Sequence, residues 1–282
     1  MNQNQHWYYY LCEYYGVSPE AALSLGTRAS GRKPSLPGSP ACEPVSEMTF
    51  EDIWASDSRK TTEEVFKFYK ELGAWAAFRQ CVRHKDLEAY HCQILGELIN
   101  RQTLLPDSHM CEYGAGVAPF TTTFLKYLNP DLDPALTLTI ADVDCEHLNF
   151  ARYRLNRIKK EKGFHNLILN FEVIKPDDKL PTFLDQKLNV ILCFEVLEHV
   201  PSPVKVIENF KNSILPGEIY IENFIKHEGE DEDFDGPDLL SARNEREEYY
   251  KIVNEYFSLL HPSKAESDSQ PNCTRFWKRN LL

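Results

Sequence analysis

The sequence lacks the features that would place it in a membrane or outside the cell. It contains no run of about 18 consecutive apolar residues, so we expect no membrane-spanning helix. Residues 1–10 carry neither the basic flank nor the apolar stretch of a secretory signal. None of the eight cysteines forms a Cys-x-x-Cys pair, so we expect free thiols rather than a disulfide framework. Together these absences predict a cytoplasmic protein.

Positive charge is also scarce. The chain has 31 Lys and Arg residues against 43 Asp and Glu residues, a formal net charge of −12. Because nucleic-acid binding needs clustered basic side chains, this balance disfavours a nucleic-acid partner. A short basic cluster, Arg28, Arg32 and Lys33, lies in a stretch rich in Gly, Pro and Ser, residues 26–44, which predicts an irregular linker.

The chain divides into two predicted parts. Residues 1–104 form an N-terminal arm and a mainly helical cap, in which aromatic-rich residues 6–15 are expected to pack on the rest of the protein. Apolar spacing and a Thr-Glu start predict helices at 61–72 and 86–100. Residues 105–282 form the second part.

In this second part, strands alternate with helices. The predicted strands are 109–113, 136–141, 167–173, 188–194, 218–224, 256–261 and 274–278, and the predicted helices are 118–128, 146–161, 203–213 and 245–253. This alternation predicts an α/β fold with a seven-stranded, mostly parallel sheet, helices on both faces and an antiparallel final strand. The charged residues 226–248 are expected to form a solvated loop.

A glycine-rich turn follows the first of these strands, with the sequence Glu112-Tyr-Gly114-Ala-Gly116. Glycines at such a position let the backbone turn sharply and approach a ligand closely. A dinucleotide-binding loop would have a third glycine where this chain has Pro119, and no Gly-Lys-Ser/Thr of a phosphate-binding loop follows. The acidic Glu112 is unfavourable beside a pyrophosphate but suits a cationic ligand.

These residues resemble the first motif of the class I S-adenosylmethionine-dependent (SAM-dependent) methyltransferases. The resemblance continues in order through residues 138–152, which include Asp142, and through residues 189–203, which contain Glu195-Val-Leu-Glu198-His199. It ends with Leu215-Pro-Gly217 and the closing hairpin. The closest motifs are those of small-molecule and ubiquinone-type methyltransferases, which implies a Rossmann-like fold.

The resemblance implies a set of residues that bind the methyl donor SAM. They are Glu112, Gly114, Ala115, Gly116, Asp142, Val143, Asp177, Phe194 and Glu195. Glu112 would attract the ammonium of SAM directly or through water, and Asp142 would accept hydrogen bonds from the ribose hydroxyls. Asp177 or Asp178 would lie near the adenine amine, and Phe194 and Glu195 near the transferred methyl. A surface acid for Glu112 and a helix cap for Asp142 are the structural alternatives.

His199, together with Glu195, is the predicted catalytic group. His199 is the candidate general base for the acceptor, and a structural histidine at a helix start is the alternative. The Glu195-x-x-Glu198-His199 spacing also resembles a divalent-metal site of ubiquinone-type and small-RNA methyltransferases, with His227 as a possible further ligand. Many methyltransferases carry these residues without a metal, so no metal is assigned. The group Cys81, His84, His91 and Cys92 matches no standard zinc pattern.

The expected function is methyl transfer from SAM to an oxygen or nitrogen of a small-molecule acceptor. Methylation of an RNA 3′-end or a protein, and a non-catalytic cofactor-binding role, stay open as alternatives. The N-terminal part is expected to determine the acceptor. Its aromatic residues could form the wall of a pocket or the core of the cap; they are Tyr14, Trp54, Phe68, Tyr69, Trp75 and Phe78.

Overall fold

The structure, a computed structural model, describes residues 6–22, 59, 61–104, 106–175, 187–226, 238–262, 267 and 273–281. The predicted linker and its basic cluster, together with Trp54, Asp177, Asp178 and His227, lie outside these residues. No helix of the described part is long and apolar enough to cross a bilayer. The cysteines of this part are all free thiols.

Helical segments of the described residues precede the sheet. Helix α1, His6–Tyr15, buries Tyr10 and Leu11, and its Tyr15 ring packs against Phe78 and Phe150. The aromatic-rich segment therefore packs on the rest of the protein, as expected. Helix α2 is Thr62–Asn100 and begins at a capping box, because Thr61 and Glu64 bond each other's backbone N–H groups.

Helix α2 has two parts: the first ends at Leu72, as predicted for 61–72, but the second begins directly after Gly73 and not at residue 86. Helical residues also connect the predicted segments, and nothing in the intervening sequence, residues 74–85, opposes a helix. The break lies at Gly73, directly after the predicted end of the first helix, and Gly73 has φ 57° and ψ −151°. This conformation is open only to glycine, so Gly73 sets a change of direction within α2.

The seven strands form one sheet in the order β3-β2-β1-β4-β5-β7-β6. The strands are β1 His109–Tyr113, β2 Thr137–Val143, β3 Ile168–Ile174, β4 Leu188–Phe194, β5 Ile214–Asn223, β6 Phe257–His261 and β7 Arg275–Arg279. Only β7 runs antiparallel to its neighbours, and the pairs among β1 to β5 are parallel. The predicted seven-stranded, Rossmann-like α/β fold is therefore confirmed.

The helices that follow the strands occur where the sequence predicts them, with small shifts at their ends. They are α3 Pro119–Tyr127, α4 Glu146–Lys162, α5 Pro203–Ser213 and α6 Leu240–Tyr256. Helix α6 is longer than the predicted 245–253. Strand β5 begins earlier than predicted, because the pairing with β4 continues past an irregularity at Gly217, whose φ is 88°.

Neighbouring residues of each strand bury their side chains on opposite sheet faces. Met110 belongs to the hydrophobic cluster shared with α1 to α4, and the next residue, Cys111, belongs to the cluster shared with α5 and α6. Both faces are covered, which explains why β1 is buried along its whole length. The N-terminal helices therefore contribute to the same core as the sheet.

Candidate active site

A cavity lies at the carboxyl ends of the central strands. The chain leaves the sheet centre in opposite directions after β1 and after β4, and ligands bind at this point in open α/β sheets. The cavity has a volume of about 140 Å³ and opens to solvent at its mouth. Its walls include residues at or just after the carboxyl ends of β1, β2, β3 and β4. They are Gly114, Gly116, Asp142, Val143, Lys175, Glu195, Val196 and His199.

The glycine-rich turn after β1 forms one wall. Gly114 and Gly116 have φ values of 64° and 55°, which favour glycine. A Cβ on Gly114 would overlap the side chain of Val196, and a Cβ on Gly116 would overlap that of Gln80. Gln80, on α2, also accepts a hydrogen bond of 3.0 Å from the Val117 N–H. Backbone conformation thus favours glycine at both positions, and close packing against Val196 adds to this at Gly114.

Glu112 lies beneath this turn and not on the cavity wall. Its buried carboxylate accepts hydrogen bonds from Phe120 N at 3.1 Å, Thr121 N at 2.9 Å and Thr121 Oγ1 at 2.6 Å. Burial raises the pKa of this carboxyl to about 7, against the lowering effect of these bonds and of nearby Arg154. Glu112 therefore binds the amino end of α3, where a carboxylate also meets the positive end of the helix dipole. This placement favours a positioning role over direct contact with the ammonium of a ligand.

Asp142 is the next-to-last residue of β2 and does line the cavity. Its carboxylate accepts hydrogen bonds from the Gly116 N–H and, at 2.6 Å, from the Val143 N–H. Burial raises its pKa to about 6. The predicted alternative of an N-cap is not observed, since Cys145 caps α4. Asp142 thus ties β2 to the glycine-rich turn and keeps carboxylate lone pairs for a ligand.

Glu195 and His199 lie together on the β4 side of the cavity. Glu195 has φ 54°, an uncommon value for a residue with a side chain, and its N–H donates to Asn223 Oδ1 at 2.7 Å. His199 follows in a short 3₁₀ turn, Leu197–His199, and its Nε2 lies 3.9 Å from Glu198 Oε1. Glu198 is buried, and burial together with Asp238 and Glu195 raises its pKa well above the usual range. The predicted catalytic residues are therefore brought to one wall.

The first turns of α2 form the opposite wall, through Thr62, Val65, Phe66 and Tyr69. Of the predicted aromatic residues, Tyr69 lines the cavity, whereas Phe78 is buried in the core and Tyr14 packs against Phe150 and Tyr153. Most of the α2 residues on the cavity wall therefore lie before Gly73, and Gln80 lies after it.

Some predicted ligand-binding residues lie elsewhere. Ala115 is buried behind the turn, and its N–H bonds the Ala141 carbonyl. The Phe194 ring contacts the rings of Tyr90 and Phe120 instead of the cavity. Because strand residues alternate between faces, a motif that reaches the end of β4 does not by itself decide which side chains meet a ligand.

Several cavity residues were not predicted. Gln80 and His147 line the cavity, and Arg154, fully buried on α4, supports the turn through a hydrogen bond to the Val117 carbonyl. His147 is close in sequence to the Asp142 motif, which is a signal that sequence reasoning could have used. Gln80 offered no such signal, because only the packing of α2 places it there.

The metal site suggested by the Glu195-x-x-Glu198-His199 spacing has no counterpart in the described part of the chain. Among those residues, no group of three His, Cys, Asp or Glu side chains is arranged to hold a metal ion. In the other cluster considered, Cys81 is buried beside Arg154 Nη1, at 3.6 Å, and His91 is buried against Phe120. Both are core residues.

No protein-family model and no curated protein matches this chain. Solved structures match at low identity. The N-methyltransferase NodS from Bradyrhizobium japonicum WM9 is 14% identical, with a TM-score of 0.46, over 68% of this chain and 96% of NodS. The magnesium protoporphyrin IX methyltransferase ChlM from Synechocystis PCC 6803, crystallised with bound SAM, is 13% identical, with a TM-score of 0.45, over 73% of this chain and 84% of ChlM.

A structure of the cyclase SpnF is 12% identical, with a TM-score of 0.46, over 67% of this chain and 81% of SpnF. Similarity at this level carries no information about the reaction, since one fold serves many activities.

Proposed function

We propose that this protein transfers the methyl group of SAM to a small-molecule acceptor. One observation carries the proposal. Motif residues from the ends of separate strands, Gly114, Gly116, Asp142 and Glu195, line a single cavity at the switch point of a parallel sheet. Their types and order resemble the SAM-binding motifs, and their meeting in one cavity is what such a function requires.

The cavity residues fit the parts of SAM. The backbone at Gly114 and Gly116 would lie along the methionine part, since neither residue has a Cβ in the way. The Asp142 carboxylate would accept the ribose hydroxyls with its remaining lone pairs. The Val143 side chain would contact the base, and Glu195 would offset the positive charge of the sulfonium. Glu112 would act at a distance by holding α3 and the turn in place.

SAM supplies an electrophilic methyl group when bound, so the protein's task is to align an acceptor and manage its proton. We assign the proton to an imidazole nitrogen of His199, which faces the cavity beside Glu195. A neutral imidazole can accept a proton from an acceptor hydroxyl or ammonium.

A small-molecule acceptor suits the covered cavity. The first turns of α2 bring Phe66 and Tyr69 over it, so we propose that residues 1–104 help to determine the acceptor. The formal charge of −12 adds to this preference, because an RNA substrate would need a basic groove. Transfer to protein or RNA, and binding without transfer, are outcomes that the experiments below distinguish.

Titration calorimetry with SAM and with its demethylated product, S-adenosylhomocysteine, tests the assignment. We expect the wild-type protein to bind both and Asp142→Ala to bind at least about tenfold more weakly, because charge-assisted hydrogen bonds are lost. The matched control is Asp144→Ala, which removes an exposed acid two residues away that does not line the cavity. Absence of binding by the wild-type protein, or equal affinity of Asp142→Ala, would refute the proposal.

Methyl-tritiated SAM separates the acceptor classes. We expect label to enter a small-molecule extract and not total RNA or protein. Label in RNA or protein would overturn the small-molecule assignment. Binding of SAM with no label in any fraction would favour the non-catalytic alternative.

A further inference from the structure

His147 has a buried ring nitrogen without a partner on the cavity wall, and the proposed function gives this atom no role. It lies in the first turn of α4, is 3% exposed and belongs to the cavity wall beside Asp142 and Val143. Its Nε2 atom is buried and has no hydrogen-bond partner within the described part of the chain. A buried polar atom without a partner costs free energy, so its presence on a cavity wall points to a ligand.

The other ring nitrogen defines what Nε2 can do. The backbone of Ala76 on α2 acts on the ring as a hydrogen-bond acceptor and raises its pKa, and because Nε2 is unpaired we assign this contact to Nδ1. Burial lowers the pKa of His147 to about 4, so the ring is neutral near pH 7. A neutral ring that donates from Nδ1 carries a lone pair on Nε2. His147 therefore offers the cavity an acceptor and no second donor.

We propose that His147 Nε2 accepts a hydrogen bond from a donor on the adenosine part of the bound nucleoside. This inference rests on the proposed function, because it takes SAM as the ligand. Asp142, on the same wall, already accepts backbone N–H groups from Gly116 and Val143. A further acceptor from α4 would pair a donor that Asp142 does not satisfy. The donor is either a ribose hydroxyl or the adenine amine, and the two are distinguished by experiment.

The first test compares variants for S-adenosylhomocysteine binding by calorimetry. His147→Asn can keep the bond to Ala76, because its amide nitrogen occupies a position near Nδ1, but it has no atom at Nε2. We expect it to bind about tenfold more weakly, the effect of one lost hydrogen bond. His147→Gln places an amide oxygen near Nε2 and should recover part of the affinity. The control is the variant His109→Asn. His109 is buried, hydrogen-bonds Thr139 at 2.7 Å and lies at the end of β1 away from the cavity.

The second test uses analogues of S-adenosylhomocysteine that lack one donor each: 2′-deoxy, 3′-deoxy and N6,N6-dimethyl. One analogue lacks the donor that pairs with His147. The wild-type protein should bind this analogue more weakly than S-adenosylhomocysteine, and the substitution His147→Asn should not weaken its binding further. This coupling identifies the donor, and a merely structural role of His147 would not produce it.

The outcomes separate the two proposals. If the wild-type protein does not bind S-adenosylhomocysteine, the proposed function fails. If it binds, and if His147→Asn binds equally or no analogue shows coupling, the inference about His147 fails alone.

Discussion

The buried Glu112 makes a quantitative prediction about stability and pH. The variant Glu112→Gln keeps the size of the side chain and one acceptor oxygen but cannot ionise. Burial raises the pKa of Glu112 from its ordinary 4.5 to about 7. The folded protein therefore holds a proton on Glu112 at pH values at which the unfolded chain has lost it.

The sign and size of the effect follow from linkage. Because the folded pKa is the higher one, the contribution of Glu112 to stability is largest below pH 4.5 and is lost as the pH rises to about 7. The difference between 4.5 and about 7, at about 1.4 kcal/mol per pH unit, corresponds to about 3 kcal/mol. This is a large part of the 5–15 kcal/mol that is typical of a folded protein. Most of the loss should occur between pH 5 and pH 7.

Urea unfolding followed by circular dichroism, at pH 5, 6, 7 and 8, measures this effect. We expect the difference in free energy of unfolding between the wild-type protein and Glu112→Gln to change by about 2–3 kcal/mol over this range, in favour of the variant at high pH. The raised pKa of Asp142 has the same sign but is present in both proteins and cancels in the difference. Glu172→Gln, which changes an exposed glutamate on β3, controls for net charge. Parallel pH profiles for the wild-type protein and Glu112→Gln would refute this account of Glu112.

Two further predictions concern the catalytic wall and the cover of the cavity. If His199 accepts the acceptor's proton, His199→Gln should keep its affinity for SAM but lower turnover about 100-fold or more once an acceptor is known; full turnover would exclude this role. Gly73→Ala should cost about 1–3 kcal/mol in urea unfolding and weaken SAM binding, because its backbone conformation is open only to glycine although nothing lies within 4 Å of the added Cβ. The control Gly96→Ala lies in the same helix without a positive φ and should be neutral or stabilise by up to about 1 kcal/mol; equal behaviour of the two alanine variants would contradict the role of Gly73.

The sheet was readable from the sequence because its signals are local. Apolar strands that alternate with amphipathic helices bury their apolar side chains best in a parallel sheet with helices on both faces. Strands β1 and β4 begin and end at the predicted residues. The two glycines of the turn were recognisable for the same reason, since a sharp turn after a strand needs their backbone freedom.

The end of the first helix at residue 72 was predicted, but the return to a helix directly after Gly73 was not. Residues 74–85 have ordinary helix-forming composition, and a single glycine in a helical pattern is usually tolerated. The role of Gly73 depends on how the two parts of α2 pack, since Tyr69 before the break and Gln80 after it both reach the cavity. Sequence spacing contains no information on that choice.

The motif around Glu112 shows which features follow from the sequence and which follow from packing. The sequence by itself determined the sheet, the glycine-rich turn and the order of the motifs, because these depend on neighbouring residues along the chain. The tertiary structure decided which side chains meet the cavity. In the folded protein, Glu112 binds the amino end of α3, and Phe194 packs in an aromatic cluster. Gln80 and His147 lie on the cavity wall. Those outcomes depend on contacts between residues far apart in the chain, which hydrogen bonding and burial decide only once the helices are packed on the sheet.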